Sequence, residues 1–160
     1  VYMRLKPLRR VAMTWNMIFS TARKYVRFDY FYQVNDDLTM ITSGWLSKFS
    51  SILDDNEGIG VVGPSDSFNG FKCSLLTQAF VTEKHFEIFS GLFYPLEFKD
   101  WKSDRWLSFV YGNMRTFCSE KIEARNGAKG TRYEACVYGE WKVVLERGEE
   151  LLKKYFNASV

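Results

Sequence analysis

The feature that most constrains the fold of this chain is the alternation of amphipathic helix patterns with short apolar runs of strand length. Helix patterns, with apolar side chains at three- and four-residue steps or with helix-capping residues, occupy residues 8–25, 44–53, 83–91, 103–111 and 139–155. Strand-type runs occupy residues 30–34, 58–64 and 75–82. Helices interleaved with strands predict an α/β fold, with helices covering a largely parallel sheet.

The composition predicts one compact domain over residues 1–160. A chain of 160 residues of which 46% are hydrophobic can bury one core and is short for two. The net charge of +3 is mild and argues against a dedicated nucleic-acid binder, although the segment before Asp29 is cationic enough for an acidic partner. No apolar run approaches the ~18 residues of a membrane span. We therefore predict no nucleic-acid partner and no membrane span within this chain.

The cysteines and the histidine indicate neither a disulfide framework nor a metal site. Cys73, Cys118 and Cys136 are odd in number and lack metal-ligand spacing, so they are predicted to be small core residues. The only histidine, His85, is predicted to be a partly buried, hydrogen-bonded residue at the start of a helix and not a metal ligand.

Three polar side chains end the strand-type run at 30–34. They are Asn35, Asp36 and Asp37, and in α/β sheets ligands bind beyond the carboxyl ends of the strands. Two carboxylates at such a place suit Mg²⁺ or Mn²⁺, which prefer oxygen ligands and share them with phosphates and water. The alternative is a plain turn, the commoner meaning of such a tripeptide taken alone.

The sequence around this tripeptide carries a longer pattern. In RRVAMTWNMIFSTARKYVRFDYFYQVNDD, Asn16 is followed six residues later by Ala22 on a predicted helix, and the next strand ends at Asn35–Asp37. Downstream come GVVGPSDSFNG, LLTQAFVTEKHFEIFSGLFYPLEFKDWKSDRW and GTRYEA. This order resembles that of GT-A nucleotide-sugar glycosyltransferases of eukaryotic and large-virus origin, over most of the chain from about residue 9 to 150. The resemblance implies a GT-A fold, with an Asp-x-Asp motif at Asn35–Asp37.

The resemblance also implies an activity and roles for particular residues. It implies transfer of a sugar from a nucleotide-diphosphate sugar to a hydroxyl of a carbohydrate or glycoconjugate acceptor, dependent on Mn²⁺ or Mg²⁺ and inverting. Asp37 would bind the metal, and Asn16, Asn35 and Asp36 the nucleotide-sugar. Asn35 replaces the usual first Asp, which leaves open whether Asp36 or Asn35 meets the ribose or the metal. Asp104 would be the catalytic base that takes the proton of the acceptor hydroxyl.

Each of these roles has a plainer alternative. Asp104 also suits a helix N-cap, and both functions are compatible. Trp101 and Trp106 flank it and would stack on the acceptor sugar, although most Trp residues belong to cores. The late metal-binding histidine of many GT-A enzymes is missing, and Asn126 stands near its expected place.

The last departure from the family is at the front of the chain. The strands that normally hold the nucleotide base are not recognisable before the first predicted helix, so we expect this to be the C-terminal part of a GT-A domain. Its compartment is left open by the sequence, between the Golgi lumen and the cytoplasm. The alternative function is a non-catalytic carbohydrate-binding or scaffold relative that keeps the fold without the metal.

Overall fold

The computed structural model describes residues 10–66, 73, 75–99, 102–127 and 141–158. Its helices are α1 Val11–Tyr25, α2 Trp45–Asp54, α3 Glu83–Ile88, α4 Ser103–Val110, α5 Gly112–Arg115 and α6 Trp141–Ala158. Its strands are β1 Tyr30–Gln33, β2 Leu38–Met40, β3 Val61–Asp66, β4 Ala79–Thr82 and β5 Thr116–Asn126. Helices therefore alternate with strands, and the predicted α/β class is confirmed.

The sheet is mixed, and the prediction of a largely parallel sheet is wrong. Its five described strands lie in the order β1-β4-β3-β5-β2. Only β3 and β5 pair in parallel, whereas β4 is antiparallel to both β1 and β3, and β2 is antiparallel to β5. From the largely apolar run at residues 30–34 one expects an interior parallel strand, but β1 lies at one end of the described strand order beside an antiparallel neighbour.

The strand directions nevertheless bring three carboxyl ends to the same edge. Because β4 runs against β1 and β3, and β3 runs with β5, the strands β1, β3 and β5 share one direction. β1 and β2 are the two outermost strands of the described sheet. The segment Asn35–Asp37 connects them and therefore crosses the end of the sheet at which β1, β3 and β5 terminate. There Leu38 pairs with Asn126, the last residue of β5. The polar tripeptide thus lies at the carboxyl ends of strands, as predicted.

Two apolar clusters cover the two faces of the sheet. Val81 of β4 belongs to the larger cluster, which includes side chains of α1, α3, α4 and α6, and its neighbour Phe80 belongs to the smaller cluster under α2. Successive strand residues point to opposite faces, which explains the division. Within the described ranges, no helix has both the length and the apolar character needed to cross a membrane.

Cys73 and Cys118 form a disulfide bond, so the prediction that they are separate core residues is wrong. The bond joins the β3–β4 connection to β5 across 45 residues of sequence. An odd cysteine count does not exclude one pair, and sequence spacing does not show which two lie close in space. Cys136 is outside the described residues.

Removal of this disulfide is expected to lower the free energy of unfolding by about 2–4 kcal/mol, because a cross-link over a long loop restricts the unfolded chain. The double substitution Cys73→Ala and Cys118→Ala is compared with the wild-type chain by urea unfolding, with and without reductant. Reductant should bring the wild-type protein to the stability of the double variant and leave that variant unchanged. A wild-type protein that is insensitive to reductant would contradict the pairing.

Candidate functional site

The tripeptide Asn35–Asp37 forms a turn between β1 and β2. The backbone N–H of Leu38 donates to the carbonyl of Asn35 at 3.2 Å, and the N–H of Gly127 donates to the carbonyl of Asp37 at 2.9 Å. Asp36 is exposed, and Asn35 and Asp37 are half-buried. The alternative that these three residues form a turn is therefore confirmed for the local backbone geometry. Its position still presents two adjacent carboxylates at the carboxyl-end edge of the sheet.

Buried amide side chains hold this turn from two neighbouring strands. Gln78, just before β4, accepts a hydrogen bond from the backbone N–H of Asn35 through Oε1 at 2.8 Å. Asn126, at the end of β5, has its Oδ1 3.5 Å from Nδ2 of Asn35, the outer limit of a hydrogen bond. Gln78 is 2% exposed and Asn126 8%. Gln78 was missed in the sequence, where the signal is a glutamine inside the apolar run LLTQAFVT.

Asn16 fixes the segment between α3 and α4 and does not lie on the turn. Its Oδ1 accepts from the backbone N–H groups of Phe93 at 2.9 Å and of Tyr94 at 2.8 Å. Its Nδ2 donates to the carbonyl of Tyr94 at 2.8 Å. These bonds engage the amide oxygen and one amide hydrogen. The structure therefore gives Asn16 a positioning role, where the resemblance implies direct contact with the nucleotide-sugar.

Tyr94 connects this segment to the strand that carries the turn. Its hydroxyl donates to Oε1 of Gln33 at 3.2 Å, and both side chains are buried. Gln33 is the last residue of β1, two positions before Asn35. Burial raises the pKa of Tyr94 well above its ordinary value, and the charge of Asp104 adds to this. Asp104 is thus close enough to act electrostatically on a residue that contacts β1.

Asp104 is the second residue of α4 and not its N-cap. The N-cap is Lys102, whose φ of 66° is left-handed. Oδ1 of Asp104 accepts from the backbone N–H of Arg105 at 2.7 Å. Burial raises the pKa of the Asp104 carboxyl, against the opposing effects of the Arg105 N–H and guanidinium. The first turn of a helix suits an ionised carboxylate, so this position is compatible with both predicted roles of Asp104, as a general base and as a structural residue.

Trp106 is a core residue, as the plainer alternative predicts, and its buried ring is not accessible for stacking on an acceptor sugar. Its ring is 1% exposed and lies 5.1 Å from the ring of Phe89, centroid to centroid. Its Nε1–H points to the carbonyl of Val144 in α6 at 3.3 Å. Gly148 packs directly on it, since a Cβ there would lie 2.9 Å from Cζ2 of Trp106. Trp101 lies outside the described residues.

His85 is a buried structural residue, more deeply buried than predicted. It is 1% exposed, with Nδ1 2.8 Å from the hydroxyl of Tyr111 and Nε2 3.0 Å from the carbonyl of Phe93. Because a carbonyl only accepts, Nε2 carries the proton and Nδ1 accepts from Tyr111. Burial lowers the pKa of His85 to about 3. His85 and Asn16 together fix the backbone on both sides of Phe93, and so place Tyr94.

The described residues fit a metal only if substrate shares its coordination. In the parts of the chain with described placement, no three His, Cys, Asp or Glu side chains converge on one point. The turn supplies two carboxylates, Asp36 and Asp37, and Mg²⁺ is commonly held by one or two carboxylates together with substrate phosphates. The turn therefore suits an ion bound with a diphosphate, and Asp37 is the residue that the resemblance assigns to it.

Two cavities lie elsewhere. A cavity of about 350 Å³ separates α6 from the α3–α4 connection and is lined mainly by apolar side chains. A second, of about 720 Å³, lies between the end of α1 and α3 and contains Arg23, Glu83 and other charged residues. Neither includes Asn35–Asp37. Because ligands of α/β sheets bind beyond the carboxyl ends of the strands, we expect an open cleft in front of the turn, and this stays a prediction.

The resemblance to GT-A enzymes rests on the quoted sequence motifs, their order and their spacing, and it stays a prediction. Comparison of the chain with family models, curated proteins and solved structures finds no match.

Proposed function

We propose that this chain belongs to a GT-A glycosyltransferase that moves a sugar from a nucleotide-diphosphate sugar to an acceptor hydroxyl, with inversion. The observation that carries the proposal is the link between two carboxylate groups far apart in sequence. Asp104 acts on Tyr94, Tyr94 binds Gln33, and Gln33 leads into the turn with Asp36 and Asp37. This chain of contacts supports the proposal, because it connects the carboxylate proposed as the base to the turn that carries the carboxylates proposed for the metal-bound diphosphate.

The proposed roles follow from the charge that each group carries. Asp104, when ionised, takes the proton of the acceptor hydroxyl as its oxygen attacks the anomeric carbon. Asp37, helped by Asp36, holds the metal, which when bound neutralises the departing diphosphate. A sugar ring must fit between base and metal ligand, so we expect their carboxyl groups to be on the order of 10 Å apart. Asn16 and His85 act indirectly, by fixing the segment that carries Tyr94.

The first test is binding. The wild-type protein should bind a uridine or guanosine diphosphate only with Mn²⁺ present, and Asp37→Asn should weaken this by about tenfold or more, since it removes a charged ligand. Isothermal titration of each nucleotide, with and without Mn²⁺, measures this. Asp55→Asn, an exposed carboxylate just after α2, is the matched control. Equal affinity with and without the metal would count against the metal role of the turn.

A non-catalytic relative of the same fold is the second candidate. Two observations favour it: Asn35 stands where the motif carries its first Asp, and the described residues offer no third metal-binding side chain. Such a protein would bind an acceptor carbohydrate without metal and show no turnover of any nucleotide-sugar. Screening a glycan array in the presence of chelator distinguishes this candidate from the enzyme.

A further inference from the structure

Gln78 is a buried amide of which only one end has a partner. Its Oε1 accepts the backbone N–H of Asn35 at 2.8 Å, and this contact sets the orientation of the amide. In the part of the chain that the structure describes, Nε2 of Gln78 is buried and makes no hydrogen bond. The residue that Gln78 binds, Asn35, is a polar member of the turn. A donor is therefore held beside the turn without an acceptor.

Such a donor calls for a physical explanation. A buried polar group left without a hydrogen bond destabilises the fold, and most buried polar groups in folded proteins are satisfied. An apolar side chain of similar size would avoid this cost. The oxygen of Gln78 is used in holding the turn. Its N–H group has no such use, and a neutral amide supplies this donor without placing a charge in the buried site.

The backbone around Gln78 is held firmly. Gly63 of β3 lies against it so closely that a Cβ there would be 2.5 Å from the carbonyl oxygen of Gln78 and 2.9 Å from Cδ2 of Leu76. On the other side, Asn35 is bound to its side chain. Gln78 cannot shift without moving β3 or the turn. A donor fixed in this way is preorganised, so little order is lost when it meets an acceptor.

From these contacts we infer that Gln78 binds the donor substrate, its Nε2–H donating to an oxygen atom of the nucleotide-sugar. Asn35 contacts Gln78 directly and is half exposed, so a ligand on the Asn35 side chain stands one residue away from this amide. The oxygen belongs to the diphosphate or to a sugar hydroxyl, both of which accept hydrogen bonds. The inference rests on the proposed function and adds a specificity-determining residue to it.

The variant that isolates the N–H group is Gln78→Glu. The carboxylate keeps an oxygen for the N–H of Asn35 but cannot donate. Affinity for Mn²⁺ with UDP or GDP, and for UDP-glucose, UDP-N-acetylglucosamine and GDP-mannose, is measured by titration. We expect Gln78→Glu to weaken binding by about tenfold or more, as for loss of a hydrogen bond to a charged group. Loss with every ligand places the oxygen on the diphosphate, and loss with the sugar-nucleotides alone places it on the sugar.

Two further variants separate this effect from charge and from misfolding. Asn56→Asp adds the same charge at a partly buried amide in the α2–β3 connection, away from the turn, and should change affinity by no more than about threefold. Gln78→Met, which is uncharged and of similar length, serves if Gln78→Glu lowers the melting temperature strongly, and it should show the same loss. Unchanged affinity in both Gln78 variants, or equal loss in Asn56→Asp, would overturn the inference alone. Wild-type protein that binds none of these ligands would overturn the proposed function and the inference together.

Discussion

Asp104→Asn is expected to lower the rate of sugar transfer by about 10²- to 10⁴-fold, the usual contribution of a general base. The amide has nearly the shape of the carboxylate, and its oxygen can still accept the N–H of Arg105, which Oδ1 of Asp104 accepts at 2.7 Å. The start of α4 therefore keeps its geometry while the base is lost. Nucleotide-sugar affinity should survive, because the turn at Asn35–Asp37 is unchanged. Separate measurement of kcat and of ligand affinity checks this split.

Stability gives this experiment a second readout. Burial raises the pKa of Asp104, so its charged form is less favourable in the folded protein than in the unfolded chain. The folded state then binds more protons than the unfolded state above the ordinary aspartate pKa, and stability falls as pH rises through this window. Asp104→Asn removes this penalty and should leave the melting temperature at pH 7 unchanged or raise it. Because asparagine and aspartate serve about equally well at a helix start, a purely structural Asp104 would leave turnover unchanged in this variant as well.

Asp55→Asn is the matched control, a carboxylate-to-amide change at an exposed residue before β3, on the opposite edge of the sheet. It should leave both turnover and affinity as they are. Turnover retained in Asp104→Asn would leave Asp104 as part of the helix start and move the search for the base to Asp66 or Asp100. Neither of those two side chains is among the described ones.

The elements whose signal is local were predictable from the sequence. The apolar spacing places α1 and α2 within a few residues of their observed bounds, because helix periodicity depends only on neighbours along the chain. The direction of β4 was not predictable, since AFVT is buried at every position and such a run looks the same in either direction. The edge position of β1 depends on β4, and so could not be predicted either.

The sequence allowed the position of the carboxylates in the candidate site to be predicted, but not the contacts of its buried glutamine side chains. Asn35–Asp37 is a visible change from apolar to polar residues at a strand end. Gln78 and Gln33 are single glutamines in apolar runs, and nothing local shows that one binds Asn35 and the other Tyr94. The strand β5 was missed because its early residues are only partly buried. Its later part alternates, with Ile122, Ala124 and Asn126 buried.

The histidine predicts how the protein responds to acid. His85 is neutral in the fold with a pKa of about 3, while the unfolded value is near 6.5. Below about pH 6.5 His85 is protonated in the unfolded chain but stays neutral in the folded protein. The free energy of unfolding therefore falls as pH falls from 6.5 towards 3. This single group should remove about 1.4 kcal/mol of unfolding free energy for each pH unit across that window. Desolvation is the main cause, and the charge of Arg23 adds to it.

His85→Gln tests this assignment, because glutamine offers an oxygen to the Tyr111 hydroxyl and an N–H to the Phe93 carbonyl but does not titrate. We expect the variant to be less stable at pH 7.5, since it loses ring contacts such as that with Phe89, at 4.8 Å between centroids. As pH falls to 4.5, the unfolding free energy of the wild-type protein decreases more than that of the variant. The difference in unfolding free energy between the two proteins therefore becomes smaller. Urea unfolding at four pH values measures this, and because both proteins share every carboxylate, general acid destabilisation cancels. Two curves that stay parallel from pH 7.5 to 4.5 would show that His85 takes up a proton in the folded state, through a contact that burial does not suppress.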